Sequence, residues 1–103
     1  MNEAPRLLLR RWVHVREEDE PGTAVYRPID HPIPPARGRD GIEFLPDGAS
    51  VYYDPGPADA PVGKTGTWTD EGDDRIRTEF SGTTTVYRIR ELDEDVLRLS
   101  PER

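Results

Sequence analysis

Proline and glycine limit this chain to short elements of secondary structure. The 103 residues include 11 prolines and 9 glycines, and prolines recur at short intervals from Pro5 to Pro61. A proline inside a helix removes a hydrogen bond and clashes with the preceding turn. No window between the prolines has the i, i+3, i+4 apolar spacing of a long amphipathic helix. We therefore expect an all-β protein, with a short helical turn only at residues 5–10, where a proline suits the first helical position.

Short runs of alternating polar and apolar residues predict the strands. They lie at residues 12–16, 23–27, 41–45, 50–53, 64–69, 75–80, 83–92 and 96–99. Tight-turn sequences such as Pro46-Asp47-Gly48 join several of them, as in β-hairpins. Closing such a sheet into a barrel removes its two exposed edges. We expect one domain over residues 1–103, a single antiparallel up-and-down barrel of about eight short strands.

The more apolar face of each strand predicts which side chains point into the barrel. The predicted inward residues are Val13, Val15, Ile42, Phe44, Val51, Tyr53, Trp68, Ile76, Phe80, Tyr87, Ile89, Leu97 and Leu99, with Val25 or Tyr26 added according to the register. An eight-stranded barrel is just wide enough for side chains to fill it. A shallow pocket at one mouth is therefore expected rather than a deep ligand cavity.

Composition disfavours several function classes. The chain has 21 acidic and 14 basic residues and a formal charge of -7, whereas a nucleic-acid binder needs a net basic face. No apolar run approaches the roughly 20 residues of a membrane helix, and no export signal is recognised. Without cysteine there are no disulfides and no thiolate chemistry. We expect a cytoplasmic protein with no nucleic-acid partner, no membrane contact and no cofactor.

Several segments of the chain follow the pattern of a known kind of small barrel. These are Gly66-Thr67-Trp68, a polar hairpin through residues 73–76, and the apolar runs at residues 87–92 and 96–99. From residue 66 onward the chain resembles small bacterial lipocalin-like domains. The resemblance implies a small antiparallel barrel, in a group whose members mostly have no assigned activity.

The segment from Pro28 to Asp40, which we call the proline loop, interrupts the strand pattern with four prolines. Loops of this length in compact domains are often functional. Within it, Arg37 and Arg39 flank a glycine, and Arg27 lies just upstream. Guanidinium groups bind carboxylate or phosphate in a bidentate manner, and the glycine lets the anion approach.

The leading hypothesis is a non-catalytic binding or accessory module with a shallow site beside the proline loop. Its ligand is a small molecule with an anionic group or an acidic peptide, and Tyr26 and His31 complete the predicted binding set. A competing interpretation is that the arginines pair with nearby acids such as Asp30, Asp40 or Glu43 and only hold the loop in place.

Two other functions remain open. The first is protein–protein interaction, such as a homodimer formed through an exposed aromatic face or an unpaired strand edge. The second is a small barrel enzyme that uses His14 or His31 with an arginine. Alternation places His14 opposite in parity to Val13 and Val15, which predicts an outward position. No spacing joins either histidine to acids in a ligand pattern, so we predict neither a metal site nor a catalytic residue.

Overall fold

A computed structural model describes residues 6–32, 39–54 and 62–102, and the fold in these ranges is all-β. The strands are β1 (Arg11–His14), β2 (Ala24–Pro28), β3 (Gly41–Phe44), β4 (Ala49–Asp54), β5 (Val62–Gly72), β6 (Arg75–Phe80), β7 (Thr83–Leu92) and β8 (Leu97–Pro101). Within these ranges, the helical elements are two 3₁₀ turns, Arg6–Leu8 and Arg16–Glu18. No helix within the described ranges has the length and apolar character needed to cross a membrane.

The eight strands form a closed barrel, which confirms the predicted antiparallel fold. The order around the barrel is β1-β2-β8-β7-β6-β5-β4-β3, and β3 closes it against β1. The consecutive strands β2 and β3 are not neighbours, because β1 lies between them. Trp12 of β1 pairs with Pro28 of β2 on one side and with Ile42 of β3 on the other. Because β1 is antiparallel to both neighbours, β2 and β3 run in the same direction. The proline loop therefore follows β2 at one end of the barrel and leads into β3 at the other end.

The two ends of the barrel carry different elements. The lower end holds the Arg6–Leu8 turn and the β3–β4, β5–β6 and β7–β8 turns. The upper end holds the β1–β2 connection, the β6–β7 turn and Asp40, the residue before β3. Asp40, at the end of the proline loop, and the β1–β2 connection therefore lie at the same end of the barrel.

The lower half of the barrel is filled by a continuous apolar core. Its buried members are Leu8, Trp12, Ile42, Phe44, Trp68, Ile76, Leu97 and Leu99. The ring centroids of Phe44 and Trp68 lie 5.4 Å apart in an edge-on contact. The indole of Trp12 donates a hydrogen bond to the carbonyl of Leu8 at 3.1 Å, so the first 3₁₀ turn covers the lower end.

The inward face of β1 differs from the prediction. Trp12 is fully buried, whereas Val13 on the opposite face is only partly buried. Burial of the larger indole, which also satisfies its N–H against Leu8, outweighs burial of a valine. Val15 and Val25 are buried as well. They lie outside the main core, at the point where the second 3₁₀ turn contacts β2.

The inward face of β4 is also the reverse of the prediction. Tyr52 pairs with the buried Ile42 and faces the interior, so Val51 and Tyr53 face outward. The guanidinium of Arg11 lies 3.7 Å from the centroid of the Tyr53 ring. The Tyr53 hydroxyl donates to Glu43 at 2.7 Å. These two outer partners stabilise Tyr53 on the surface of the sheet.

Candidate functional site

Five inward-facing side chains at the upper end are only partly buried. We call this set the upper mouth, and it consists of His14, Tyr26, Tyr52, Phe80 and Tyr87. The imidazole of His14 stacks on the ring of Tyr26 with centroids 5.0 Å apart. Across the mouth, the rings of Tyr52 and Phe80 lie 6.0 Å apart. The inward rings of the upper mouth therefore lie above the core and keep part of their surface exposed.

His14 lies inside the barrel, which corrects its predicted outward position. It is two residues beyond the buried Trp12 on the same face of β1. Its Nδ1 lies 3.1 Å from a carboxylate oxygen of Asp40, and its Nε2 lies 2.9 Å from one of Asp19. Asp19 belongs to the β1–β2 connection, so His14 links that connection to the end of the proline loop.

The partners of His14 shift the pKa values of the cluster. The hydrogen bond to Asp40 raises the pKa of His14 above its ordinary value of 6.5, despite the opposing effect of burial. Burial alone would raise the pKa of Asp40, but the hydrogen bond and charge of His14 outweigh it and lower that pKa below 3.8. The imidazolium and the carboxylate therefore stabilise each other's charged forms.

Burial also keeps the tyrosine hydroxyls of the mouth protonated. Removal from water raises the pKa of Tyr26, and the nearby Tyr87, Asp40 and Tyr52 raise it further. The pKa of Tyr87 is raised by the same cause. Below Tyr52, the hydroxyl of Ser50 is fully buried on the same face of β4 and has no hydrogen-bond partner in the described part of the chain. The hydroxyls of Tyr26 and Tyr87 therefore stay protonated, and that of Ser50 is enclosed beneath the upper mouth.

Arg39 lies at the rim of the upper mouth and is held by a glutamate. Its guanidinium donates to both carboxylate oxygens of Glu17 at 3.0 and 2.8 Å and to the carbonyl of His14 at 3.3 Å. The hydrogen bond from Arg39 lowers the pKa of Glu17 to about 2. Arg16 lies 3.4 Å from Asp40. Each of these two arginines therefore pairs with an acidic side chain at the rim.

The other predicted anion-binding residues do not form one cluster with Arg39. Arg27 lies on the outer face of β2, where its guanidinium donates to Glu18 at 2.6 Å and to the carbonyl of Asp95 at 2.9 Å. Arg37 lies outside the described residues. Arg27 and Arg39 thus pair with two neighbouring glutamates of the β1–β2 connection, and not with the acids named from the sequence.

His31 lies at the other end of the barrel, beside a surface groove with a volume of about 440 Å³. The groove is lined by Leu7, Arg10, Pro28, Asp30, His31, Pro32, Glu94 and Asp95. Arg10 lies 3.5 Å from Asp30. Leu7 and Ile29, exposed by 37% and 50%, are the large apolar side chains most open to water in the described residues, and both belong to this end.

Of the predicted residues that the structure describes, Tyr26 and Arg39 belong to the upper mouth and its rim. Sequence reasoning considered His14 only for an enzyme and Asp40 only as an arginine partner, and it did not connect them with Asp19. The contact with Asp40 joins residues 26 apart, and the five-residue spacing to Asp19 has no strand signature. The tyrosines of the strands were the available signal for the upper mouth. The alternation of residues in β4, however, predicted that Tyr53 rather than Tyr52 faces inward. In the described residues, no group of three His, Asp or Glu side chains is arranged to hold a metal ion.

Comparison of the chain with protein-family models, with curated proteins and with solved structures gave no match. The resemblance to lipocalin-like domains therefore stays a prediction, and the functional argument depends on the geometry of the upper mouth.

Proposed function

We propose that this protein is a non-catalytic binding module that accepts a small planar ligand at the upper mouth. The observation that carries the proposal is the contrast between the two halves of the barrel interior. The large aromatic side chains of the lower half, Trp12, Phe44 and Trp68, are buried, whereas the aromatic side chains of the upper mouth point inward and keep part of their surface in water. Small-molecule sites are typically concave, lined by aromatic groups and equipped with a few polar atoms.

The chemistry of the mouth defines the ligand class. Rings such as those of Tyr26 and Phe80 favour a flat apolar body, since aromatic pairs gain energy in stacked or edge-on contacts. Protonated tyrosine hydroxyls donate hydrogen bonds and suit a ligand that carries an acceptor, either a carbonyl or an anionic oxygen. The anionic group expected from the sequence is left to the test below, because the positive charge of His14 is already paired with the carboxylates of Asp19 and Asp40.

Binding is favoured over catalysis by the contacts of His14. A general acid or base needs a nitrogen within reach of the ligand. Both ring nitrogens of His14 already contact carboxylates, those of Asp40 and Asp19. We therefore assign His14 a structural role at the mouth and propose no reaction for the protein.

Adjacent tyrosines provide a matched test. The probe is 8-anilinonaphthalene-1-sulfonate, a flat anionic dye whose fluorescence rises in an apolar site. We expect Tyr52→Ala, inside the mouth, to weaken dye binding about tenfold, as for loss of an aromatic contact worth ~1.4 kcal/mol. Tyr53→Ala, which removes the outward ring of the next residue, should leave the affinity unchanged. Near-ultraviolet circular dichroism checks that both variants keep their tertiary packing.

The outcomes test two points separately, namely where the dye binds and whether its negative charge contributes to the affinity. Equal weakening in Tyr52→Ala and Tyr53→Ala would place the dye outside the mouth and overturn the proposal. Repeating the titration with N-phenyl-1-naphthylamine, which lacks the sulfonate, measures the contribution of the negative charge. A higher affinity for the sulfonate supports an anionic ligand, whereas equal affinities reject the anionic preference and keep the planar one.

The groove at the lower end favours a second candidate function, protein–protein interaction. Exposed Leu7 lines the groove, and exposed Ile29 lies between the lining residues Pro28 and Asp30. Among the described residues, the groove carries the carboxylates of Asp30, Glu94 and Asp95 against Arg10, and the whole chain has a net charge of -7. This charge complements a basic peptide segment that contains an apolar residue, and it opposes pairing with a second acidic copy of the chain.

A pair of synthetic peptides tests this second candidate. A Lys/Leu peptide should shift the methyl resonances of Leu7 and Ile29 in an NMR titration, while an Asp/Leu peptide of equal length should not. Loss of the shifts in an Asp30→Asn/Glu94→Gln variant would support charge complementarity. Equal shifts with both peptides would reject it, and concentration-dependent sedimentation that is abolished by Leu7→Ser would identify a homodimer instead.

A further inference from the structure

The two ring nitrogens of His14 contact two different carboxylates. Nδ1 lies 3.1 Å from Asp40, and Nε2 lies 2.9 Å from the nearer oxygen of Asp19. An ionised carboxylate only accepts hydrogen bonds, and a neutral imidazole carries one N–H. Only the doubly protonated imidazolium donates to both partners at once. The geometry therefore selects the charged form of His14.

Each carboxylate belongs to a different segment of the upper end. Asp19 lies in the β1–β2 connection, and its Oδ1 also accepts a hydrogen bond from the backbone N–H of Val25 at 2.8 Å. Asp40 ends the proline loop, and its carbonyl accepts from the backbone N–H of His14 at 2.9 Å. His14 itself stacks on Tyr26 of the upper mouth. One imidazolium thus joins two connections to a wall of the proposed ligand site.

We propose that His14 is a pH-dependent clasp that orders the upper mouth. In its charged form it holds Asp19 and Asp40 together, and deprotonation removes one of the two hydrogen bonds. The bond to Asp19 is the one released, because the side chain of Asp19 is 33% exposed and that of Asp40 only 16%. Water replaces His14 more readily at the exposed partner. The inference that the clasp controls ligand binding rests on the function proposed above.

Other charged and titratable groups face the clasp from every element around it. They are Arg16 and Glu17 in the β1–β2 connection, Arg39 before β3, Tyr26 on β2, and Tyr52 and Tyr87 across the mouth. Tyr26 and Tyr87, whose pKa values are raised by burial, stay neutral through the range in which a histidine titrates. Arg39, whose pKa is raised by its hydrogen bond to Glu17, stays charged. Glu17, whose pKa is lowered to about 2, is ionised throughout. His14 is therefore the group of this cluster that changes charge near neutral pH.

The clasp can be measured without any ligand. In a His31→Gln background, NMR gives the titration of the single remaining histidine between pH 5 and 9. We expect the backbone amide of Val25 to shift with the same midpoint as the His14 ring, because release of Asp19 alters the acceptor of that amide. In Asp19→Asn the amide acceptor is kept but the charge is lost, so the ring midpoint should fall and the amide response should disappear.

Two results would overturn the clasp. One is titration of His14 with no response at Val25, and the other is an unchanged ring midpoint in Asp19→Asn. The link to binding is tested separately with 8-anilinonaphthalene-1-sulfonate, whose sulfonate stays ionised over this range. We expect its affinity to fall as pH rises through the His14 midpoint. A pH-independent affinity rejects the link, whereas no dye binding at any pH rejects the proposed function and leaves the amide titration to decide the clasp.

Discussion

Phe80 packs against the α-carbon of Gly66 across the β5–β6 pair. A methyl group added to Gly66 would come within 2.6 Å of the Phe80 ring and 2.1 Å of the carbonyl oxygen of Glu79. Glycine at this position therefore lets β6 and the Phe80 ring approach β5 closely. The Gly66-Thr67-Trp68 segment combines this close approach with the buried indole two residues later, which explains in physical terms why the segment has that order.

Gly66→Ala should destabilise the barrel by about 2 kcal/mol or more, because a contact with a backbone oxygen is relieved only by moving a strand. Urea unfolding measures the effect. Gly63→Ala, on the same strand, is the control, since the added methyl there meets only side-chain atoms, at 3.0–3.7 Å. If the two variants lose equal stability, close approach of Phe80 does not explain the glycine at position 66.

Leu8 should be far more important for stability than its neighbour Leu7. Leu8 is fully buried in the core, whereas Leu7 is 37% exposed. We expect Leu8→Ala to cost about 3 kcal/mol through lost burial and a cavity at the lower end, and Leu7→Ala to cost less than about 0.5 kcal/mol. Thermal unfolding of both variants provides the comparison. Similar melting temperatures would mean that the first 3₁₀ turn does not close the lower end in solution.

The strands and the closure of the barrel were predictable from local patterns, but two strand faces were not. Parity fails where both faces of a strand are apolar, as with Trp12 and Val13 in β1 or Tyr52 and Tyr53 in β4. At such positions the choice depends on partners elsewhere in the chain. Arg11 and Glu43 hold Tyr53 outside, and no periodicity in β4 contains that information.

The order of the strands and the centre of the upper mouth also depend on distant contacts. The prolines of the proline loop indicated an irregular connection, yet not that β3 would pair with β1 rather than with β2. That pairing brings Asp40 to His14, 26 residues away in the sequence. A histidine on a strand with two aspartates at unrelated spacings has no local signature, so its role was visible only after folding.

The contribution of His14 to stability should depend on pH in a defined direction. Its pKa is raised in the folded protein, so its stabilising effect is fully present below its ordinary value of 6.5 and is lost as pH rises through the folded value. The pKa of Asp40 is lowered, so its contribution is present above its ordinary value of 3.8 and is lost as pH falls through the folded value. The pair is most stabilising between these two ordinary values.

His14→Gln removes this dependence. The unfolding free energy of the wild type should fall by about 1–2 kcal/mol relative to the variant when pH is raised from 6 past the His14 midpoint, which corresponds to one charge-assisted hydrogen bond. Denaturant unfolding at several pH values gives both curves, and His31, present in both proteins, cancels in the difference. A constant difference across this range would contradict the assignment of His14 as the bridging imidazolium.

Arg27 and Arg39 should bind anions weakly until their glutamate partners are neutralised. Glu18 and Glu17 hold the two guanidinium groups at 2.6 and 2.8 Å, so a phosphate must compete with a carboxylate for each. In Glu17→Gln/Glu18→Gln we expect phosphate affinity to rise about fivefold or more at low salt, as for removal of a like charge worth ~1 kcal/mol at this range in water. The Nε–H resonances of Arg27 and Arg39 report binding, and Arg88, held by Glu102 at 3.0 Å, is the internal control. Strong saturable shifts of Arg27 and Arg39 in the wild type would show that the glutamates do not prevent phosphate binding. That result would favour the anion site predicted from the sequence over a purely structural role for the two arginines.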